Sequence, residues 1–157
     1  MKKFSILTSI YKSKKFLKGY FKTISIQKYK PDEIILIDDT NNQKDLENII
    51  LKFKKKYKFN KIVLLKNKKN LGPAKSLNKG LKKIKNKLIF RLDVDDKWKK
   101  NHVSSLLNLY EKDKNSIIYA VSLKNSNIRN RLKCDDYFIN DNHTIHSSWL
   151  INKKKCR

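Results

Sequence analysis

Glycine and proline are scarce in this sequence, with three glycines and two prolines among 157 residues. Flexible linkers between domains are rich in glycine, serine or proline, so this scarcity excludes a chain of domains joined by such linkers. The length suits one domain spanning residues 1–157.

Cysteine is equally rare. Cys134 and Cys156 lack C-x-x-C spacing and a disulfide-rich setting, so we expect a reduced, cytoplasmic compartment.

Long hydrophobic runs are also missing. A membrane-spanning helix needs roughly 18 or more consecutive apolar residues, and no run in the sequence approaches that length. The apolar stretch near the amino terminus is short and interrupted by polar residues, which argues against a signal peptide.

Arginine is the third scarcity, because only four of the 39 basic residues are arginine. Proteins that recognise phosphates and bases tend to use arginine forks and interleaved aromatics, and no RNP, KH or zinc-finger pattern occurs here. Codon composition rich in A and T is a sufficient cause of much of the lysine excess. We therefore expect no specific nucleic-acid partner, although a basic nucleic-acid-binding module stays an alternative. The net charge of +25 favours peripheral association with an anionic membrane surface.

Hydrophobic periodicity predicts strands alternating with helices, the pattern of βαβ units in a mostly parallel sheet. The predicted strands cover residues 4–10, 33–37, 61–65, 88–92, 116–123 and 145–151. The predicted helices cover residues 14–27, 45–57, 74–84 and 102–110, and a frayed basic tail is expected over 153–157. The fold class is therefore α/β, a Rossmann-like sandwich with helices flanking the central sheet.

Two of the predicted strands end in clustered carboxylates. Asp93, Asp95 and Asp96 follow one apolar run, and Asp38 and Asp39 follow another. Unpaired buried charge is costly, so these groups must emerge at the sheet edge where ligands bind in open α/β folds. In extended backbone the D-x-D pair Asp93 and Asp95 would point the same way and suit a hard divalent cation. The alternatives are an acidic turn capping the next helix for this cluster, and an N-cap or Asx turn for Asp38 and Asp39.

Two other segments are placed to complete a site. Tyr11 follows the first strand and could stack on a base, with core filling as the alternative. Asn70 and Gly72 precede a helix whose amino terminus would point to the same edge, where anions are favoured. Gly72 permits unusual backbone angles, but the segment matches neither the P-loop nor the G-x-G-x-x-G pattern.

Together these segments resemble the nucleotide-sugar-dependent glycosyltransferases of family 2, which have the GT-A fold. The resemblance runs from about Ser5 to Leu150. It rests on five ordered segments: Thr8–Lys12 in the place of P-x-Y-N, the acidic-ended strand Glu33–Asp39, N-x-G-x-x-x-x-x-N-x-G over Asn70–Gly80, R-x-D-x-D-D-x-W over Arg91–Trp98, and His146-Ser147-Ser148.

The resemblance implies a role for each candidate residue. Tyr11 and Asp39, with Asp38, would bind the nucleotide base, and Thr8, Asn70 and Gly72 would belong to the same donor site. Asp93 would lie near the ribose and, with Asp95, hold Mn²⁺ or Mg²⁺ bridging the diphosphate, which stabilises the leaving group. Asp96 would be a neighbour of the metal or the donor sugar.

The resemblance also implies an activity. A UDP-linked donor would supply a sugar to a cell-envelope glycan or lipid-linked acceptor by inverting displacement, on the cytoplasmic side of the cell membrane. The acidic pair that supplies the general base in the family after the H-S-S segment is absent, so no catalytic residue is assigned. We therefore expect the carboxy-terminal acceptor part to be short or missing, with a non-catalytic truncated remnant as the alternative.

Overall fold

The computed structural model describes residues 2–40, 45–112, 114, 118–119 and 149–153. Its strands are β1 (Phe4–Ile10), β2 (Glu33–Asp38), β3 (Ile62–Lys66), β4 (Leu88–Arg91), β5 (Ile118–Tyr119) and β6 (Trp149–Asn152). Its helices are α1 (Leu17–Ser25), α2 (Leu46–Tyr57), α3 (Gly72–Lys83) and α4 (His102–Lys112).

The strands form one six-stranded sheet in the order β3-β2-β1-β4-β6-β5. The pairs β1–β2, β2–β3 and β1–β4 are parallel, whereas β6 runs antiparallel to β4 and β5. The chain moves outward from β1 to β3 and then returns to place β4 on the other side of β1. Strand order therefore reverses between β1 and β4, and ligands bind at such a reversal in open α/β sheets.

Strands β1, β2 and β4 are almost entirely buried, which is why they read as continuous apolar runs. Alternate residues face opposite layers. Phe4, Ile6, Ile34 and Leu36 pack in a core with residues of α1, α2 and α4. Leu7, Ile35 and Ile37 pack in a second core with α3. The predicted α/β sandwich with a mostly parallel sheet is confirmed.

Helix α3 lies unusually close to the sheet at Gly80. A Cβ atom added there would stand 2.5 Å from Leu7 Cδ1 and 2.7 Å from Ile37 Cδ1. Real Cβ atoms do not approach other atoms so closely, so only glycine allows α3 to pack at this distance.

Several predicted boundaries differ from the structure. The helix expected over 14–27 begins as a 3-10 turn at Lys14–Phe16, and its α-helical part ends at Ser25. Of the ranges 116–123 and 145–151, only β5 and the first three residues of β6 are described. Lys153 is anchored and not frayed, because its backbone N–H donates to the Lys87 carbonyl at 2.7 Å. Residues 154–157 lie outside the described part.

No helix within the described residues is both long enough and apolar enough to cross a membrane.

Candidate functional site

A cleft of about 380 Å³ opens at the carboxyl ends of the parallel strands, where strand order reverses. Six of the predicted site residues line it: Tyr11, Asp39, Asn70, Gly72, Asp93 and Asp95. They come from the ends of β1, β2 and β4 and from the start of α3. The structure therefore brings both acidic strand ends into one cleft, as the sequence predicts.

Asp39 is held rigidly on the α3 side of the cleft. It is 2% exposed, and its Oδ1 accepts hydrogen bonds from Asn67 Nδ2 at 2.7 Å and from the Leu71 backbone N–H at 2.8 Å. Burial by itself raises the pKa of Asp39, but the hydrogen bonds from Leu71, Asn67 and their neighbours outweigh it and lower the pKa below its usual value. Asp39 is therefore a fixed carboxylate that can only accept hydrogen bonds.

Asp38 and Thr8 do not line the cleft. Both are fully buried, because they lie one step out of phase with the cleft-facing residues of their strands. Asp38 Oδ1 accepts from the Thr40 backbone N–H at 3.0 Å, which is the Asx turn given above as the alternative. Thr8 Oγ1 donates to the Leu92 carbonyl at 2.6 Å and is bonded to the Tyr20 hydroxyl at 2.8 Å. Asp38 and Thr8 therefore lie beneath the residues that line the cleft, and the donor-site role predicted for them stays a prediction.

The amino terminus of α3 forms the wall beside Asp39. Asn70 Oδ1 accepts the Gly72 backbone N–H at 2.8 Å, and Gly72 has a φ of +79°, in the region that favours glycine. Pro73 then starts the helix, where its missing N–H costs no hydrogen bond. The prediction that glycine at position 72 allows an unusual backbone angle is confirmed.

The D-x-D segment is a turn and not the extended backbone expected for it. Strand β4 ends at Arg91, and the Asp96 backbone N–H donates to the Asp93 carbonyl at 3.1 Å, which closes the turn. Asp93 and Asp95 still face the same cleft, with Val94 buried between them. Asp96 lies outside the residues that line the cleft.

Arg91 was not among the predicted ligand-binding residues, yet it lies in the cleft beside Asp93. Its Nε and Nη2 donate to the two carboxylate oxygens at 3.2 and 3.3 Å. Burial raises the pKa of Asp93, Asp96 and Asp95 add to the rise, and Arg91 opposes it. Asp93 is therefore chiefly a desolvated carboxylate, with Arg91 stabilising its charged form and two like charges opposing it, and a nearby cation would stabilise that charged form further.

The carboxylates fit a divalent cation that also binds phosphate. No group of three or more histidine, cysteine, aspartate or glutamate side chains suited to a metal occurs among the described residues. Asp93 and Asp95 alone would serve an ion such as Mg²⁺, which commonly uses one or two carboxylates and completes its shell with phosphates and water. These residues suit a metal–diphosphate site better than a closed structural metal site.

Tyr11 stands at the mouth of the cleft and is 48% exposed, which excludes the core-filling alternative. The next residue, Lys12, has a φ of +50°, and its Nζ lies 5.4 Å from the centre of the Tyr11 ring. An exposed ring at this position can stack on a planar ligand.

Sequence reasoning missed Asn67, Ser76 and Lys79, which form the network behind Asp39. A signal for Asn67 was present. Val63 and Leu65 face α3, and continuing the alternation by two residues puts Asn67 on the same face. The segment His146-Ser147-Ser148 and the acidic residues Asp135, Asp136 and Asp141 lie outside the described part of the chain.

The fold is that of GT-A glycosyltransferases, as solved structures show. The structure of TarS from S. aureus in complex with UDP superposes on this chain with a TM-score of 0.72 at 17% identity. The match covers 96% of this chain and 47% of TarS. A mannosyltransferase from Pyrobaculum calidifontis in complex with GDP-Man and Mn²⁺ gives a TM-score of 0.67 at 14% identity, over 76% of this chain and 35% of that one.

The sequence defines the family. The family model for "Glycosyl transferase family 2" matches residues 5–155, and the chain belongs to this family. An uncharacterised glycosyltransferase of Methanocaldococcus jannaschii is 26% identical over 95% of this chain and 55% of its own length. An Escherichia coli UDP-Gal:alpha-D-GlcNAc-diphosphoundecaprenol beta-1,3-galactosyltransferase is 30% identical over 71% of this chain and 40% of its own. The chain thus spans about half the length of these relatives, or less.

Proposed function

We propose that this chain binds a UDP-linked sugar in the cleft, together with Mn²⁺ or Mg²⁺, as the donor half of a glycosyltransferase. The observation that carries this proposal is the meeting of Asp39 with Asp93 and Asp95 in one cleft at the reversal of strand order. A donor of this class has a base with N–H groups at one end and a diphosphate at the other. The cleft offers an acceptor-only carboxylate on one side and a carboxylate pair on the other.

The base end of the donor is assigned to Tyr11 and Asp39. The half-exposed Tyr11 ring would stack on the base, and Asp39 would accept a hydrogen bond from a base N–H group. Because Asp39 is held charged and fixed before the ligand arrives, little conformational freedom is lost on binding.

The diphosphate end is assigned to Asp93 and Asp95, which would hold the divalent ion. The chemistry that such an ion supplies is stabilisation of the charge on the departing nucleoside diphosphate. Arg91 keeps Asp93 oriented through two hydrogen bonds. In the proposed site Asp96 shapes the turn through its backbone N–H.

The acceptor proposed is a cell-envelope glycan or a lipid-linked saccharide, reached on the cytoplasmic side of the membrane, with inversion at the transferred carbon. The E. coli relative named for a diphosphoundecaprenol substrate supports this class of acceptor. We assign no general base to the described residues, so donor binding is the part of the proposal that the cleft supports directly.

Titration calorimetry with UDP and GDP, each with and without Mn²⁺, tests donor binding. We expect UDP to bind with Mn²⁺ and to bind more weakly without it. Asp95→Asn removes a metal ligand at an exposed position and should weaken Mn²⁺-dependent UDP binding by about tenfold or more, equivalent to about 1.4 kcal/mol.

The matched control is Glu47→Gln, which removes one negative charge at an exposed position outside the cleft. Its affinity for UDP should equal that of the wild type. Preference for GDP would overturn the UDP assignment. Equal loss in both variants would show a general effect of charge and would overturn the metal site.

We also propose that the edge of the sheet opposite the cleft is the part that contacts anionic lipid. Four lysines line a depression of about 360 Å³ at this edge: Lys2, Lys3, Lys85 and Lys87. Two carboxylates at this edge are already ion-paired, Glu33 with Lys61 and Glu111 with Lys2. Each lysine close to an anionic surface contributes about 1 kcal/mol at moderate salt.

Sedimentation with vesicles of phosphatidylcholine, with and without phosphatidylglycerol, tests this edge. Replacing Lys82, Lys83, Lys85 and Lys87 with glutamine should reduce binding to anionic vesicles more than the same replacement at four exposed lysines of the cleft edge, Lys68, Lys69, Lys97 and Lys100. Equal reduction would show that net charge alone matters, and equal binding to neutral vesicles would contradict the electrostatic basis.

A further inference from the structure

A line of hydrogen bonds connects α3 to the cleft through a buried amide. Lys79 Nζ donates to Asn67 Oδ1 at 2.8 Å and to the Lys66 carbonyl at 2.6 Å. Asn67 Nδ2 donates to Asp39 Oδ1 at 2.7 Å and to Ser76 Oγ at 2.8 Å. Asn67 is 2% exposed and Ser76 is fully buried, so the line runs through the interior to the cleft wall.

The direction of the Asn67 amide is fixed by its neighbours. Lys79 can only donate and the ionised Asp39 can only accept, so one orientation of the amide satisfies both. In the opposite orientation the amide would present N–H groups to the ammonium and oxygen to the carboxylate. The lysine thereby secures the amide donors that hold Asp39 Oδ1.

We propose that Asn67, oriented by Lys79, is a positioning residue that holds Asp39 so that its Oδ2 accepts a hydrogen bond from the nucleotide base. This inference rests on the proposed function, because it assigns Asp39 to the base. Asn67 touches no ligand and acts through Asp39 alone. The effect of changing Asn67 must therefore depend on whether Asp39 is present as a carboxylate.

The isosteric change Asn67→Asp separates this role from packing. It keeps the shape of the side chain but sets an oxygen where the donor stood, 2.7 Å from Asp39 Oδ1. Two carboxylates at that distance repel, so Asp39 must turn away or take up a proton. In combination with Asp39→Asn, the donor and the acceptor between positions 39 and 67 are exchanged and that pair can form again, while the Leu71 N–H, which shares Oδ1, loses its acceptor.

The experiment is a double-mutant cycle in which UDP affinity is measured by calorimetry with Mn²⁺. Asn67→Asp and Asp39→Asn should each weaken UDP binding by about tenfold, and the double variant should also lose about tenfold and not the hundredfold of independent effects. Thermal stability, lowered by Asn67→Asp, should recover in part in the double variant, because the pair between positions 39 and 67 forms again but the Leu71 N–H does not regain its acceptor.

The matched control is Asn86→Asp. Asn86 Nδ2 donates to Ser5 Oγ at 3.0 Å, and Ser5 donates to the buried Glu33, so this change also sets a carboxylate near a buried one, at the opposite edge of the sheet. It should lower stability and leave UDP affinity unchanged. Should Asn67→Asp fail to fold, Lys79→Met takes its place, with an expected loss of about threefold in affinity, and Lys82→Met on the same helix is its control.

The outcomes are distinct. Wild-type affinity in Asn67→Asp or in Lys79→Met, or multiplied losses in the double variant, would overturn the positioning role while leaving the donor site intact. A wild-type chain that binds neither UDP nor GDP with Mn²⁺ would overturn the proposed function and this inference with it.

Discussion

The two acidic strand ends face one cleft, but they are built in opposite ways. Asp39 is buried, held by a side-chain amide and a backbone N–H, and its pKa is lowered. Asp93 is 30% exposed in a turn with two further carboxylates, and its pKa is raised. A carboxylate whose charge the protein satisfies suits a fixed hydrogen bond. A partly exposed carboxylate beside two others, which Arg91 neutralises only in part, suits a cation, and this difference is the reason for the two roles proposed above.

Removing Asp39 gives the largest effect expected on stability. Asp39→Ala leaves a buried donor on Asn67 and a partly buried one on Leu71 without this acceptor, which should lower the free energy of unfolding by about 3 kcal/mol. Asp95→Asn removes an exposed carboxylate and should change it by less than about 0.5 kcal/mol. Urea denaturation of both variants measures the contrast, and similar losses in the two would contradict it.

Acid should lower the free energy of unfolding through protonation of His102, which follows Asp93 along the chain. His102 stacks on Trp98 with 4.6 Å between ring centres, its Nε2 has no hydrogen-bond partner among the described residues, and burial lowers its pKa to about 4. The unfolded chain, with a His pKa of about 6.5, binds the proton first. Stability is therefore full above pH 6.5 and falls toward pH 4, by about 2–3 kcal/mol from this group.

His102→Phe keeps an aromatic ring on Trp98 and removes the titration. Urea denaturation at several pH values should show the wild type losing stability between pH 6.5 and 4 relative to this variant, with a constant difference above pH 7. A difference that stays constant down to pH 4 would show that His102 is not buried as a neutral ring.

Gly72 gives a smaller effect on the α3 side. Its φ of +79° disfavours any side chain although no atom lies within 4 Å of an added Cβ. Gly72→Ala should cost about 1–2 kcal/mol from backbone strain alone. Ala74→Gly, in the first turn of the same helix, is a useful comparison because it acts through helix propensity, and its cost should stay near 1 kcal/mol or below. Thermal denaturation ranks the two, and an equal or smaller loss at Gly72 would contradict the strain.

The smallest effect is expected at Lys12, and it is favourable. Lys12 has a φ of +50°, a region in which asparagine is several-fold enriched among residues other than glycine. Lys12→Asn should therefore raise the free energy of unfolding by about 0.5 kcal/mol. Thermal denaturation measures it, with Lys14→Asn as the control at a position of ordinary φ. A loss of stability would show that the Lys12 contact with the Tyr11 ring matters more.

Much of the fold could be predicted because each strand is a compact apolar run. The runs that became β1, β2, β3 and β4 are separated by segments with helical spacing, which leaves a parallel sheet as the arrangement that buries them. The meeting of Asp39 with Asp93 and Asp95 followed from the rule that parallel strands end at one edge.

Local geometry decides which of the predicted site residues line the cleft. Asp38 and Asp39 are adjacent residues of the same type. The alternation of side chains along β2 decides which of them faces the cleft. Thr8 was assigned to the donor site by its place in a family pattern, and in the structure its hydroxyl donates a hydrogen bond to the Leu92 carbonyl. The alternation along β3 indicates which face Asn67 lies on, but its hydrogen bonds depend on Ser76 and Lys79, which are close to it only after α3 has packed.

The close packing of α3 at Gly80 also affects the cleft, although Gly80 itself does not line it. Leu7 and Ile37 set the height of α3 above the sheet, and the same rigid helix carries Gly72 at the rim of the cleft and Ser76 behind Asp39. A methyl group at position 80 would require the ends of the Leu7 and Ile37 side chains to repack or α3 to shift, and a shift of α3 would change the width of the cleft. The width of the cleft therefore depends on aliphatic side chains, Leu7 and Ile37, that do not line it.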